Sequence, residues 1–349
     1  MAQASVFKTS DNTRQVYYDK IAGQSLSPLW EILKSLLPEE PITTTKAHAW
    51  RWEDVRPFLL ESGDLVTAEE AERRVLVLQN PAYPGQPRVT PTIYAGIQLV
   101  LPGEVAPAHR HTPSAFRLIL EGDGGYTMIG GERARMHVGD FIITPVWAYH
   151  DHGNDGADPV MWLDGLDLPM ARTFEIIRGE EHEVDRQASA RPEGDSLSRF
   201  GSGLLPLEGE NPHGLTSPVI RYPFERTREA LLGSAAGRAP DAHTAISMRF
   251  SNPLTGDWAM PTIGTWMMYL PAGFETAPMR STDAIVASVI EGEVQIMSGE
   301  ETFDAGPRDV TVMKNGSWRR IKAIKDTFLF CFSDRSAQQK LGFFLEERG

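Results

Sequence analysis

Two textures divide the chain. Up to about residue 80 the apolar residues recur at helical spacing; beyond about residue 90 they gather into short, near-alternating runs. LSPLWEILKSLLP places Leu29, Ile32, Leu33, Leu36 and Leu37 on one face of a helix that stops at Pro38. AWRWEDVRPFLLESGDLV predicts a second helix, and TAEEAERRVLVL begins helical and drifts into a strand. The Pro- and Gly-rich stretch NPAYPGQPRV then marks a boundary. From about 91 to 170 the runs TIYAGIQLVL, FRLIL, GYTMI, RARMHV, DFIITP and PVMWLDGLDL read as strands separated by Gly, Pro and Asp, as in a small barrel or sandwich. Residues 171–240 are polar and irregular. The β texture returns from about 245 in GTWMMYLPAG, AIVASVIEG, EVQIMSG, RDVTVMKNG and TFLFCF.

The two β regions match each other. LPGEVAPAHRHTPSAFRLILEG (101–122) lies against LPAGFETAPMRSTDAIVASVIEG (270–292), and GDFIITPVWAYH (139–150) against RDVTVMKNGSWR (308–319). Asp140 then faces Asp309, and His150 faces Arg319. The expected architecture is mainly β: a mostly helical N-terminal segment (1–85), a first barrel (86–170), an irregular connecting segment (171–244) and a second barrel (245–349).

Composition narrows the partners. A chain of 349 residues with 41% apolar and 23% charged residues is an ordinary globular protein. Its net charge of −13 argues against nucleic acid or an anionic membrane surface as a partner. No run approaches the roughly 18 consecutive apolar residues of a membrane span. The single cysteine, Cys331 in TFLFCFSD, cannot form an internal disulfide and is expected inside a buried strand. MAQASVFKTSDNTRQ lacks the basic-then-apolar pattern of a signal peptide, so a cytoplasmic location is expected.

The chemistry is carried by HRHTPSAFRLILEG. Successive side chains of a strand point to opposite faces, so His109 and His111 share one face and can reach one ion. A third imidazole arrives with His150, which opens a strand after Gly139, Asp140 and Pro145. Gly103, His109, His111 and Gly122, followed by Gly139, Pro145, His150 and Asn154, give G-x5-H-x-H and G-x5-P-x4-H-x3-N, the pattern of the cupin superfamily. Metal-binding cupins commonly add a glutamate four or five residues after the second histidine; here those positions are Ala115 and Phe116. Three neutral imidazoles leave a divalent ion its full charge and three adjacent octahedral positions. That suits a dianionic chelating substrate with room for dioxygen. Octahedral Fe(II) fits the requirement, whereas zinc would act only as a Lewis acid.

At these residues the sequence resembles the gentisate 1,2-dioxygenase family, bicupin Fe(II) enzymes that cleave an aromatic ring. HRHTPSAFRLILEG, GDFIITPVWAYHDHGN, WLDGLD, PTIYAGIQL and PLTGDWAMPT all look like that family's blocks, and the match runs through most of the chain. The resemblance implies ring opening of gentisate and O2 to maleylpyruvate at one Fe(II) per chain held by His109, His111 and His150. The substrate's carboxylate and ortho hydroxyl would chelate the ion side by side. Arg117, six positions after His111 and read as lying on the same strand face, would hold the carboxylate. His152 would donate to bound oxygen or a ring hydroxyl, with Asp164 as its partner or the substrate's. Gln98 and Arg73 match polar pocket positions, and Tyr94 and Gly96 would border the ring. The family also implies a homotetramer, for which the N-terminal helical segment is a candidate contact.

Relatives that cleave salicylate or 1-hydroxy-2-naphthoate share the same triad, so these substrates stand as alternatives. A non-catalytic cupin that binds a small acid, and a Zn or Mn isomerase or hydrolase, are rivals of other classes. In the second barrel Met279, Ser281 and Arg319 stand where the ligands would be, so no metal is expected there. His243 reads as structural, and EEHEVD (180–185) as a solvated acidic turn. Trp50, Trp52, Trp147 and Phe116 read as packing residues. HExxH, P-loop, nucleophile-elbow and Rossmann glycine patterns are missing from the sequence.

Overall fold

The computed structural model describes residues 11–208 and 214–349. Residues 11–43 belong to a unit of their own containing helices α1 (Asp11–Ala22) and α2 (Leu29–Leu36). Trp30 Nε1 donates to Tyr18 Oη at 2.9 Å, tying the two helices together. Within this unit α2 keeps its apolar face, Leu29, Ile32, Leu33 and Leu36, exposed.

Residues 44–349 form the second unit, built from two copies of one plan. The first copy runs β1 (His48–Trp50), α3 (Trp52–Leu65), α4 (Ala68–Ala71), β2 (Val75–Val77), β3 (Tyr94–Val100), β4 (Val105–His111), β5 (Ala115–Glu121), β6 (Gly125–Ile129), β7 (Glu132–Arg135), β8 (Phe141–Thr144), β9 (His150–Asn154), β10 (Val160–Leu166), α5 (Leu168–Thr173) and β11 (Gly179–Glu181). After α6 (Asp195–Phe200), the second copy runs β12 (Arg221–Tyr222), α7 (Phe224–Gly237), β13 (Ile246–Arg249), β14 (Gly264–Leu270), β15 (Met279–Ser281), β16 (Ile285–Glu291), β17 (Val294–Ser298), β18 (Glu301–Ala305), β19 (Val310–Met313), β20 (Arg319–Ala323), β21 (Thr327–Ser333), α8 (Arg335–Leu341) and β22 (Glu346–Arg348).

The sheets repeat strand for strand. The first barrel pairs a sheet of order β12-β8-β5-β10-β3-β2 with one of order β11-β4-β9-β6-β7; the second pairs β1-β19-β16-β21-β14-β13 with β22-β15-β20-β17-β18. The outermost strands are exchanged. β1 belongs to the first copy yet pairs with β19, and β12 belongs to the second copy yet pairs with β8. The two aligned aspartates fix this exchange. Asp309 accepts from the Trp52 backbone N–H at 2.7 Å and from Arg51 Nη1 at 3.0 Å. Asp140 accepts from the Phe224 N–H at 2.9 Å and from Arg221 Nε at 2.7 Å. Each carboxylate therefore caps the first N–H of a 14-residue helix whose own N-cap residue, Arg51 or Pro223, makes no side-chain cap.

Residues 171–244, expected to be irregular, thus carry the end of α5 together with β11, α6, β12 and α7. FERTREALLGSAAG shows little apolar periodicity because only Phe224 and Leu231 of α7 are buried.

Both faces of the six-stranded sheets are covered, which is why FRLIL and TFLFCF are nearly continuous apolar runs. Phe116, Leu118 and Phe141 point outward from the first barrel into a core shared with Phe328, Phe330 and Phe332 of the second; the Phe116 and Phe332 rings lie 4.8 Å apart. Ile119, Ile142 and Trp162 point into the first barrel and close it below the site.

Gly139 makes the turn before Asp140 with φ +87°, and a Cβ there would lie 2.6 Å from Phe224 Cγ. Its counterpart in the second copy, Arg308, adopts φ +72° and donates from Nε to Leu120 O at 2.7 Å. Gly139→Ala is expected to lower the unfolding free energy by about 1–3 kcal/mol, from left-handed strain and displacement of Phe224. Urea unfolding measures this; an unchanged midpoint would show that the turn relaxes freely.

Candidate metal centre

β4 and β9 run antiparallel with His109 directly opposite His150, and His111 follows two residues along the same face. One nitrogen from each ring lies within 4.8 Å of the others, and among the described residues this is the only such cluster of three or more potential ligands. Ring centroids are separated by 4.2 Å (His109–His150), 5.0 Å (His111–His150) and 5.3 Å (His109–His111).

Backbone carbonyls set the tautomers. His150 Nδ1 donates to Ala148 O at 2.9 Å and His111 Nδ1 to Pro113 O at 2.7 Å, leaving each Nε2 lone pair free for a cation. His150 Nε2 is buried and has no hydrogen-bond partner. A buried acceptor with nothing to accept from is the atom a metal would satisfy. His109 Nδ1 lies 3.3 Å from Pro107 O, and the Arg73 guanidinium contacts the same ring nitrogen.

Burial and the neighbouring cationic and imidazole groups favour the neutral rings. Desolvation, then Arg73 and His111, lower His109 to about 3; desolvation, then Arg117 and Arg73, lower His111 to about 4. His150 is pushed well below the ordinary range, by burial first and then Arg117. The unfolded chain binds protons near pH 6.5 where the folded chain does not, so stability of the metal-free protein rises with pH across this window. Its urea midpoint is expected to fall as pH drops from 6.5 toward 4. A flat profile would mean that the rings protonate in place.

Arg117 lies beside the triad, though not on the ligand-bearing strand as its spacing suggested. It sits on β5, in the facing sheet, and points into the barrel opposite Asp164 of β10. The guanidinium is buried: Nη1 donates to Thr144 Oγ1 at 2.5 Å, Nη2 to His152 Nε2 at 3.0 Å, and Nε lies 3.6 Å from Asp164 Oδ1. Because arginine can only donate, His152 Nε2 accepts, and its Nδ1–H donates to Thr127 Oγ1 at 2.9 Å. Both nitrogens of His152 are therefore engaged, and the ring is no free proton donor in this arrangement. Asp164 accepts from Trp162 Nε1 at 3.0 Å; burial raises it to about 6 against the opposing pull of Arg117.

The remaining expected residues ring this group. Gln98 is buried on β3 with Nε2 unpartnered. Arg73 is half-buried and donates to Pro107 O at 2.5 Å and Glu72 O at 2.7 Å. Gly96 lies opposite Asp164 in the β3–β10 pairing. A Cβ there would lie 2.6 Å from Val75 Cγ1 and 2.8 Å from Tyr94 Oη, so the backbone can approach only without a side chain. Burial, with Asp164 adding to it, raises the Tyr94 hydroxyl and keeps it protonated.

Residues 96–166 match the Cupin domain family. Over 337 residues the chain is 46% identical to gentisate 1,2-dioxygenase 1 of Aquipseudomonas alcaligenes, covering 96% of each protein. The chain belongs to the gentisate 1,2-dioxygenase family. It is also 35% identical to the gentisate 1,2-dioxygenase of a Streptomyces species over 98% of both chains. The fold superposes on the salicylate 1,2-dioxygenase of Pseudoaminobacter salicylatoxidans, solved with gentisate, with a TM-score of 0.90, 33% identity and coverage of 100% of this chain and 97% of that one. The double barrel is thus the architecture of the gentisate dioxygenase family.

Sequence reasoning missed Thr144 and Thr127, which hold Arg117 and His152. The alternation in FIITP, with Ile142 and Thr144 on one face, is the signal that could have placed the first of them. EEHEVD is not simply a solvated turn. Glu180 and Glu181 belong to β11 and pair with β4, and Glu180 accepts from Arg110 at 2.7 Å. Arg110 in turn stacks 4.6 Å over Trp147 at the barrel rim. Trp52 and Phe116 pack in the inter-barrel core.

Proposed function

We propose that this chain is a ferrous-iron ring-cleaving dioxygenase that opens gentisate with both atoms of O2 to give maleylpyruvate. One observation carries the reading: three converging imidazoles, one with a buried and unpartnered Nε2, unaccompanied by any carboxylate in the ligand set. His109, His111 and His150 would hold the ion. When bound, ferrous iron supplies positive charge for a chelating hydroxy acid and the electron chemistry that dioxygen requires.

The chain's own residues do the positioning. Arg117 uses one hydrogen on each Nη toward Thr144 and His152, so further donors remain for a planar carboxylate. Its charge also disfavours protonation of every site histidine. Asp164 offsets the guanidinium, and Trp162 and Thr127 keep Asp164 and His152 in fixed orientations. Gln98 Nε2 offers a further buried donor. Gly96 and Tyr94 would border the ring. With a cation on Nε2, the remaining proton of His109 would sit on Nδ1, facing Pro107 O, and Arg73 would keep its own bond to that carbonyl without an acceptor on the ring.

Salicylate is the second reading, favoured by the structural match to a salicylate 1,2-dioxygenase. Gentisate carries a second hydroxyl para to the first, which makes its ring easier to oxidise and demands less of the site. Oxygen uptake by protein reconstituted anaerobically with Fe(II), Zn(II) or Mn(II) tests both metal and substrate. Uptake of one O2 per gentisate with Fe(II) alone, at least ten-fold faster than with salicylate or 1-hydroxy-2-naphthoate, is expected. Equal rates with salicylate overturn the substrate; activity with Zn(II) overturns the metal. A tetramer belongs to the same proposal, supported by the exposed apolar face of α2, and a monomer in light scattering overturns it. So does a cytoplasmic location, supported by a lone thiol, Cys331, that is buried among strands.

A further inference from the structure

The interior of the second barrel is not a filled core. A cavity of about 170 Å³ lies there, at the place the metal centre takes in the first barrel. The correspondence is positional: Met279 pairs with Arg319 across β15 and β20 as His109 pairs with His150 across β4 and β9. Where the first barrel has Arg117 facing Asp164, the second has Ala287 facing Cys331, so the inner polar pair is replaced by small and apolar side chains. The walls are apolar and polarisable, with Trp258, Trp266, Met268, Ile285, Met313 and Ile321 among them.

Two residues that line this space each carry a buried polar atom without a hydrogen-bond partner. Arg319 is only 4% exposed; its Nη2 donates to Ser281 Oγ at 2.8 Å, while its Nη1 is buried and bonds to nothing. His243 Nδ1, read from sequence as merely structural, is the second. Charge points the same way. Arg319 and Arg335 both line the cavity, and among the described residues Asp283 is the fully buried carboxylate near them. Asp283 is already committed to Arg335 Nε at 3.0 Å, Ser333 Oγ at 2.6 Å and Ser281. Glu346 is paired with Arg348 at 2.9 Å. Asp283 and Glu346 offset part of the Arg319 charge from a distance, but neither bonds to Nη1, whose hydrogens stay unsatisfied at one end of an apolar chamber.

We propose that the second barrel is a binding site for one monocyclic aromatic carboxylate, its carboxylate on Arg319 Nη1 and its ring between the tryptophans and methionines. A cavity of about 150 Å³ is known to accept a benzene ring, so the volume suits one ring and little more. Sulfur and aromatic walls favour a ring over an alkyl chain. Guanidinium is the group that recognises a planar carboxylate. With Met279, Ser281 and Arg319 in place of ligands, the site binds without chemistry.

Benzoate is the probe, because it lacks the ortho hydroxyl needed to chelate a metal in the first barrel. The full-length protein, labelled at methionine methyl groups, is titrated with benzoate and with its neutral isostere benzamide. Saturable shifts at Met268, Met279 and Met313 are expected, at least ten-fold weaker for benzamide, and unchanged in Arg117→Met. Arg319→Gln is expected to weaken benzoate at least ten-fold while Asp283 keeps Arg335. Ser247→Phe, at a half-buried lining position, should block entry with Arg319 intact. The proposal fails if those three methyls do not respond, or if benzamide binds as well as benzoate in the unmodified chain, a comparison that needs no variant to fold.

Discussion

Replacing His150 with alanine is expected to yield a folded chain that takes up no iron and consumes no oxygen with gentisate. Of the three imidazoles His150 is the fully buried one, and its Nε2 has no protein partner to fall back on. Its orientation is fixed by the Nδ1–H bond to Ala148 O, so the ring is held in place before any ion arrives. Without it, two half-buried imidazoles remain, and among the described residues no carboxylate is near enough to complete a set. Losing a partner outside the ligand set typically costs about 10–100-fold in metal affinity or activity; losing a ligand from a set of three is expected to exceed that. The fold survives because the ring is neutral when buried and contributes one hydrogen bond to a backbone carbonyl. Metal content after anaerobic reconstitution, oxygen uptake and a urea curve separate these effects. Iron retained at one per chain in the variant would remove His150 from the site.

The triad was legible because β geometry turns sequence spacing into direction. His109 and His111 share a face at any twist of β4, and His150 opens a strand whose register sets it opposite His109. Arg117 was found for a reason that does not hold in the fold. Even spacing from His111 suggests a shared strand face, but a corner at Thr112–Ser114 moves the chain into the facing sheet. The guanidinium reaches the interior through the alternation of β5 itself, in which Phe116 and Leu118 go outward. The exchange of β1 and β12 was invisible. Strands of two or three residues carry almost no periodicity, and their partners lie far along the chain. Asp140 against Asp309 was the one visible trace of it. Likewise Met279, Ser281 and Arg319 stand where ligands would be in the second barrel, but no pattern of residue types reveals that its interior stays open.

Arg117→Met is expected to raise KM for gentisate by about 10–100-fold while the iron stays bound and kcat falls less. The magnitude follows from losing one or two hydrogen bonds between charged groups, each worth about 1.5–3 kcal/mol. A structural role would also weaken the protein, so the two must be told apart. Arg117 is buried against Asp164, and removing one member of a buried ion pair commonly costs about 3–5 kcal/mol. Here the loss is expected to be smaller. Burial already holds Asp164 at about 6 despite the guanidinium, so without Arg117 it rises further and takes up a proton at neutral pH instead of remaining a stranded charge. Arg117→Met combined with Asp164→Asn is then expected to regain stability and leave KM high, which a purely structural arginine would not do. Arg117→Lys is expected to rescue little, because one ammonium cannot serve Thr144, His152 and a planar carboxylate from a single position. Steady-state oxygen uptake and urea unfolding on the three variants decide the matter. A KM that recovers together with stability in the double variant would reduce Arg117 to a packing residue and leave the carboxylate to be held by another cation.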